Sequence, residues 1–155
     1  MKRPVKVVLG VVAVLVLIQL LRPSHENPPV TAEITVPADV KAVLKRSCYD
    51  CHSNETVWPW YSNVAPISWL VARDVDEGRE HLNFSEFASY EPGRAKKKLE
   101  EIELEVAGDE MPMAIYLPMH PDAKLSEADK KLIVEATGPL LSHVLAFLDE
   151  QAATA

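Results

Sequence analysis

An all-α domain behind an N-terminal apolar helix is the fold this sequence predicts, on three observations. Residues 5–21 are almost wholly aliphatic. Past residue 37 the apolar positions recur at three- and four-residue spacing, as on one face of a helix. No alternating β-branched run and no internal repeat occurs there. The chain of 155 residues is long enough for one ordinary domain and short for two. From Asp39 onward, twelve basic residues stand against 21 acidic ones, a net charge near −9. Such a balance argues against nucleic acid as a partner, because phosphate contacts need a basic face. Two cysteines are too few for a disulfide framework or a four-thiolate zinc site.

Within residues 1–21, Lys2, Arg3 and Lys6 precede the aliphatic run and Arg22 closes it. Seventeen helical residues span about 25 Å, at the short end of a bilayer crossing. The stretch after the run lacks a small-x-small cleavage pattern, so an uncleaved signal anchor is expected. Basic residues ahead of the span keep that end in the cytoplasm. The expected location is the cytoplasmic membrane, crossed once, with the domain on the periplasmic side. Residues 22–37 carry four prolines and no apolar periodicity, and read as a semi-extended spacer holding the domain off the membrane.

The domain proper is expected over residues 38–137. Val40, Val43 and Leu44 mark a first helix, with Asp39 as a cap or first-turn acid. Ile67, Leu70, Val71 and Val75 mark a second, which begins after Pro66 and stops at Gly78. Ala95, Leu99, Ile102 and Val106 form the stripe of a third, beginning at Pro92. Its lysines lie early and its glutamates late, against the helix dipole, so only burial of the stripe can hold it. Ser126-Glu127-Ala128-Asp129 resembles a capping box and opens the last helix. Gly138-Pro139 is expected to kink or break that helix, leaving residues 138–155 as a C-terminal helical extension.

Both cysteines fall in Cys48-Tyr49-Asp50-Cys51-His52. The spacing sets two thiols one helical turn apart with an imidazole directly after the second. Two such thiols can each add to one haem vinyl group, and the adjacent His reaches the iron from the proximal side. A thioredoxin-like redox pair would need a preceding strand and a βαβ setting. A zinc site would need further ligands at matched spacing, and His25, His81, His120 and His143 are isolated. A disulfide across two residues closes too small a loop to stabilise much. One covalent haem c is therefore the expected cofactor.

Residues 40 to about 136 resemble the small bacterial haem-binding domain family, which is similar to a c-type cytochrome. The resemblance rests on Ser47 to Asn54, on Trp58-Pro59-Trp60-Tyr61-Ser62 and on Ala65-Pro66-Ile67-Ser68-Trp69-Leu70. It rests also on Glu77-Gly78-Arg79, Leu82-Asn83-Phe84-Ser85, Glu110-Met111-Pro112 and His120-Pro121-Asp122-Ala123. It implies a cytochrome c-like helical haem domain with an N-terminal membrane segment. Members end soon after the helix near Ser126, so residues 138–155 depart from the pattern.

Around the motif, His52 needs an acceptor for its Nδ1–H. Cytochrome c-like domains often use a proline carbonyl there, which points to Pro66; Pro66 can equally just start a helix. Trp58, Trp60 and Trp69 are expected as a wall excluding water from the macrocycle, though ordinary core aromatics would look the same. Arg73 and Arg79 could pair with propionates, although arginines on solvated helix faces are commoner. Met111 is the expected sixth ligand, since Pro112 stiffens its loop and the Glu-Met-Pro string falls there. His120 ranks next, with Met113, Met119 and His81 as the remaining candidates; methionines that merely fill core gaps are the plain alternative. Two glycosylation-like strings, at Asn54 and Asn83, are discounted as chance matches.

The sequence shows no nucleophile with a base and no paired carboxylates, so an electron carrier is favoured over a catalyst. A haem sensor or peroxidase-like enzyme with a labile sixth position is the alternative. A redox partner protein with a basic docking patch would suit the negative domain.

Overall fold

The computed structural model describes residues 2–154, with the backbone alone for residue 149 and residues 151–154. The chain is helical throughout, with no strand among the described residues. Helix α1 (Arg3–Leu17) is followed by a 3-10 turn (Ile18–Leu20). After an extended stretch come α2 (Ala38–Ser47), α3 (Tyr49–His52), α4 (Ile67–His81), α5 (Pro92–Ala107) and α6 (Glu127–Thr154).

Helix α1 buries none of its residues, and with the turn after it forms an 18-residue stretch of mean hydropathy 2.1. It is long and apolar enough to cross a membrane. Residues 127–148 of α6 also pass that test, at mean hydropathy 1.3. Ile133 there is buried in the domain core, however, and Leu132, Ala136 and Leu140 pack against it.

The core lies where α5 and α6 pack together and α2 closes against α6. Leu99, Val106 and Ala95 of α5 are buried there beside Ile133, with Val40, Val43 and Leu44 of α2. The stripe on α5 is thus the face that holds the helix. Its adverse charge order is eased by ion pairs one turn apart, Lys96 to Glu100 and Lys97 to Glu101. Ser126 and Asp129 cap α6 reciprocally: the Ser126 backbone N–H donates to Asp129 Oδ2 (2.9 Å) and the Asp129 N–H to Ser126 Oγ (3.1 Å). In α2, Asp39 sits in the first turn, where its carboxylate accepts from the Val40 N–H (2.9 Å).

Three expectations change. Helix α6 does not break at Gly138-Pro139 but runs through it, because Leu140, Leu141 and Val144 continue the packed face. The Ser142 hydroxyl donates to the Gly138 carbonyl there (2.9 Å). Helix α4 passes Gly78 by a further turn and ends at His81. Residues 22–37 are no free spacer. The Thr31 and Ala32 N–H groups donate to the Ser85 carbonyl (3.2 and 3.0 Å), Ile34 N–H to Phe84 O (2.8 Å), and Ala88 N–H back to Ala32 O (2.9 Å). Ile34 is buried in the core, and that side chain is what turns the stretch into a strap.

Candidate functional site

Helix α3 is one turn long and carries the whole C-x-x-C-H string at its margin. The Cys48 N–H closes α2 on Leu44 O (2.8 Å), and the His52 N–H closes α3 on Cys48 O (2.9 Å). Tyr49 points into the core and stacks on Phe84, with ring centroids 5.2 Å apart. Asp50 ties two distant segments to this turn: its Oδ1 accepts from the Val57 N–H (3.0 Å) and its Oδ2 from the Tyr116 hydroxyl (2.7 Å).

Helix α4 lies directly against this turn. A Cβ at Gly78 would stand 2.6 Å from the Cys51 carbonyl oxygen, so only glycine lets the two backbones meet. Through that contact His52 finds its acceptors. Its Nδ1 lies 2.9 Å from the Gly78 carbonyl and 3.1 Å from the Leu82 carbonyl, which assigns the proton to Nδ1. Nε2 then carries a free lone pair. Burial lowers the His52 pKa against the pull of the two carbonyls, which favours the neutral ring that a metal ligand requires.

The site opens on a cavity of about 570 Å3, within the usual range for ligand sites. Cys48, Cys51 and His52 line it with Leu44, Leu82, Phe84, Ile102, Val106 and Tyr116. The two thiols are not joined to each other. Burial, with help from neighbouring negative charge, pushes Cys48 up to about 12 and Cys51 up to about 11. Both are neutral thiols at neutral pH, the opposite of the depressed pKa of a redox pair. Among the described residues no group of three or more His, Cys, Asp or Glu could hold a metal ion by itself.

Met111, Pro112 and Met113 line the same cavity, as does His81. The loop bearing Met111, Pro112 and Met113 hangs from α5 through the Glu110 and Met111 N–H groups to Glu105 O (3.0 and 3.2 Å), from α6 through Asp109 to Lys130 (2.7 Å), and from α3 through Tyr116. Met119 is exposed. His120 lies off the cavity, bonded to the Tyr61 hydroxyl (2.5 Å) and stacked on Tyr116 with centroids 4.0 Å apart. That leaves Met111, Met113 and His81 as the ligand candidates that reach the cavity.

Four other placements follow from the geometry, and for Pro66 and Arg73 it is the plainer alternative that holds. Pro66 does not serve His52: its carbonyl accepts the Trp69 N–H (3.1 Å) at the start of α4. None of the three tryptophans lines the cavity. Trp58 stacks on His25 (4.3 Å), Trp60 is 72% exposed, and Trp69 donates its indole N–H to Leu21 O (2.7 Å). Arg73 pairs with Glu77 (2.7 Å) on the surface. Arg79 ties the strap down, with Nε donating to Ser53 O (2.8 Å) and a terminal NH2 to Asn27 Oδ1 (2.8 Å). The cations on the cavity wall are instead Lys97 and Lys98.

Sequence reasoning also missed the purpose of Asn54 and Asn83. Both are buried and bonded to each other, Asn83 Nδ2 to Asn54 Oδ1 (2.8 Å), which excludes a glycan on either. The Asn54 backbone N–H donates to the Ser85 hydroxyl (2.9 Å), and its carboxamide donates to Pro29 O (3.0 Å). The pair locks the residues after His52 to the 82–85 loop and the strap. Their recurrence beside the motif, in Ser53-Asn54 and Asn83-Phe84-Ser85, was the signal available.

A model of the haem-binding domain family matches residues 13–137. No curated protein and no solved structure matches the chain.

Proposed function

Because the chain belongs to the haem-binding domain family, we propose that it is a membrane-anchored, c-type cytochrome-like electron carrier with one covalent haem outside the cytoplasmic membrane. One observation carries this reading: Cys48, Cys51 and His52 border a single cavity, and His52 is oriented through Nδ1 by two backbone carbonyls. That arrangement fits haem, since it combines two free thiols, a fixed neutral imidazole and apolar walls. Bound haem iron supplies a one-electron couple. The Cys48 and Cys51 thiols would each hold the haem through one vinyl group as a thioether. His52 Nε2 would hold the iron from one side, and Met111 is the residue that would supply a thioether to it, a ligand that favours the reduced state. Lys97 and Lys98, both paired with Glu101, line the cavity as further partners for carboxylates, and Leu44, Phe84, Ile102 and Val106 exclude water. A permanent sixth ligand favours outer-sphere transfer over chemistry at iron. The charge near −9 suits a redox partner with a basic patch, and transfer rates should then fall as ionic strength rises.

The test is acid–organic extraction of the purified chain, with spectra of both oxidation states. Haem should stay with the polypeptide. Free haem in the organic layer, with both thiols titratable, would overturn the covalent reading.

A further inference from the structure

Where the apolar N-terminal stretch ends, it is attached to the domain at one place. The Gln19 carboxamide bonds both ways to Ala65, Nε2 donating to the Ala65 carbonyl (3.1 Å) and Oε1 accepting its N–H (2.9 Å). Two residues on, the Leu21 carbonyl accepts the Trp69 indole N–H (2.7 Å). Around these three bonds the domain surface is apolar and open: Trp60, Val64, Ile67, Trp69 and Leu70 are all exposed. An adjoining groove of about 550 Å3 is lined by Leu21, Trp69, Arg22 and Arg73, and further along α4 by Asp76, Glu77 and Glu80.

We propose that this edge of the domain, residues 60–70, sits in the headgroup and upper acyl region of the membrane that α1 crosses. The inference rests on the anchoring part of the function proposed above. Its occupant is lipid because of where the edge lies. A helix with no buried residue runs into it, and hydrogen bonds at Gln19 and Leu21 leave no free spacer by which the domain could lift away. The exposed Trp60, an apolar body with one polar atom, suits that depth, and the exposed Arg22 fork suits a phosphate beside it. A patch of exposed apolar side chains is otherwise costly on a soluble surface.

The consequence reaches the haem cavity. Helix α4 begins in the patch at Ile67 and lines the cavity with Asp74, Glu77, Gly78 and His81. Twelve residues separate Trp69 from His81, so the cavity lies within about 18 Å of the headgroups along α4. The domain is thus a membrane-surface module with a fixed stance.

Lipid photocrosslinking of the full haem-loaded chain in vesicles tests this. Benzoylphenylalanine is placed singly at Trp60, Ile67 or Leu70, at Leu104 and Ile115 as exposed positions elsewhere, and at Val11 within α1. The vesicles contain phosphatidylcholine and phosphatidylglycerol with radiolabelled phospholipid, and haem per chain is read first to show that each variant folds. Labelled lipid should attach at Val11 and at all three patch positions, with none at Leu104 or Ile115. Attachment at Val11 alone overturns the inference and leaves the anchor standing. An adduct of twice the chain mass at the patch overturns it in favour of a second copy. No attachment at Val11 removes the anchor reading, and this inference with it.

Discussion

On the α3–α4 side of the cavity, backbone meets backbone. Gly78 leaves no room for a methyl group beside Cys51, His52 is held by the Gly78 and Leu82 carbonyls, and its own carbonyl accepts the Phe84 N–H (2.8 Å). On the Met111 side, a loop hangs from two backbone bonds to the single Glu105 carbonyl and from side-chain bonds, Tyr116 to Asp50 and Lys130 to Asp109, and it offers two thioethers. The difference is one of replaceability. A ligand held by main-chain atoms depends on helix packing and has no substitute. A ligand on a loop that carries a second thioether can be exchanged for its neighbour at small cost.

The sharpest attempt to break this contrast is Gly78→Ala. The added methyl would force α3 and α4 apart, costing about 2–3 kcal/mol and moving the His52 acceptor. Haem content per chain should drop severely, and thermal unfolding of the remaining holoprotein should begin at lower temperature. Wild-type haem loading in this variant would show that the close approach is unimportant.

On the other wall, Met111→Ala should keep the haem and lose the weak red charge-transfer band of ferric Met–iron ligation. Carbon monoxide and cyanide should then bind quickly. Persistence of the wild-type six-coordinate spectrum, with its loss in Met113→Ala, would move the ligand two residues along the same loop.

Removing one tether is milder. Tyr116→Phe deletes the hydroxyl that donates to Asp50, a charge-assisted bond worth about 1–2 kcal/mol. The variant should load haem normally but exchange its sixth ligand faster, seen as quicker cyanide binding. Unchanged ligand kinetics would show that the loop is held by something other than this bond.

The smallest effect concerns acid. Glu33 of the strap pairs with Lys41 and accepts from Tyr49, and the Lys41 ammonium holds its carboxyl below the usual range. A depressed folded pKa stabilises the fold above the ordinary glutamate value and stops doing so as pH falls through the lowered one. Being partly exposed, the pair contributes below about 1 kcal/mol. Glu33→Gln should therefore lower the melting temperature slightly at neutral pH, with the gap closing in acid. A gap that widened in acid would contradict the sign.

The parts legible in advance were those fixed over short separations. The stripe Ala95, Leu99, Ile102 and Val106 announced the buried face of α5, and Ser126 with Asp129 announced the cap of α6. Side chains one turn apart carry that information between them. Residues 22–37 misled because prolines and polar residues resemble a spacer, while Ile34, with Val36 packed beside it, carries the burial that makes them a strap. The tryptophans misled in the same way: aromatic clustering signals burial or an interface, and nothing local says against what.

By itself, then, the sequence determined an all-helical chain, an apolar N-terminal helix and two thiols with an imidazole at haem-binding spacing. Those features depend on residue type and on separations of a few positions. Only the tertiary structure decided that Gly78 and Leu82, not Pro66, hold His52, and that Met111 shares the cavity with Met113 while His120 does not. The acceptors are main-chain carbonyls, which every residue possesses. Which of them meets Nδ1 depends on how closely two helices approach, and that approach is set by a missing side chain 26 residues away.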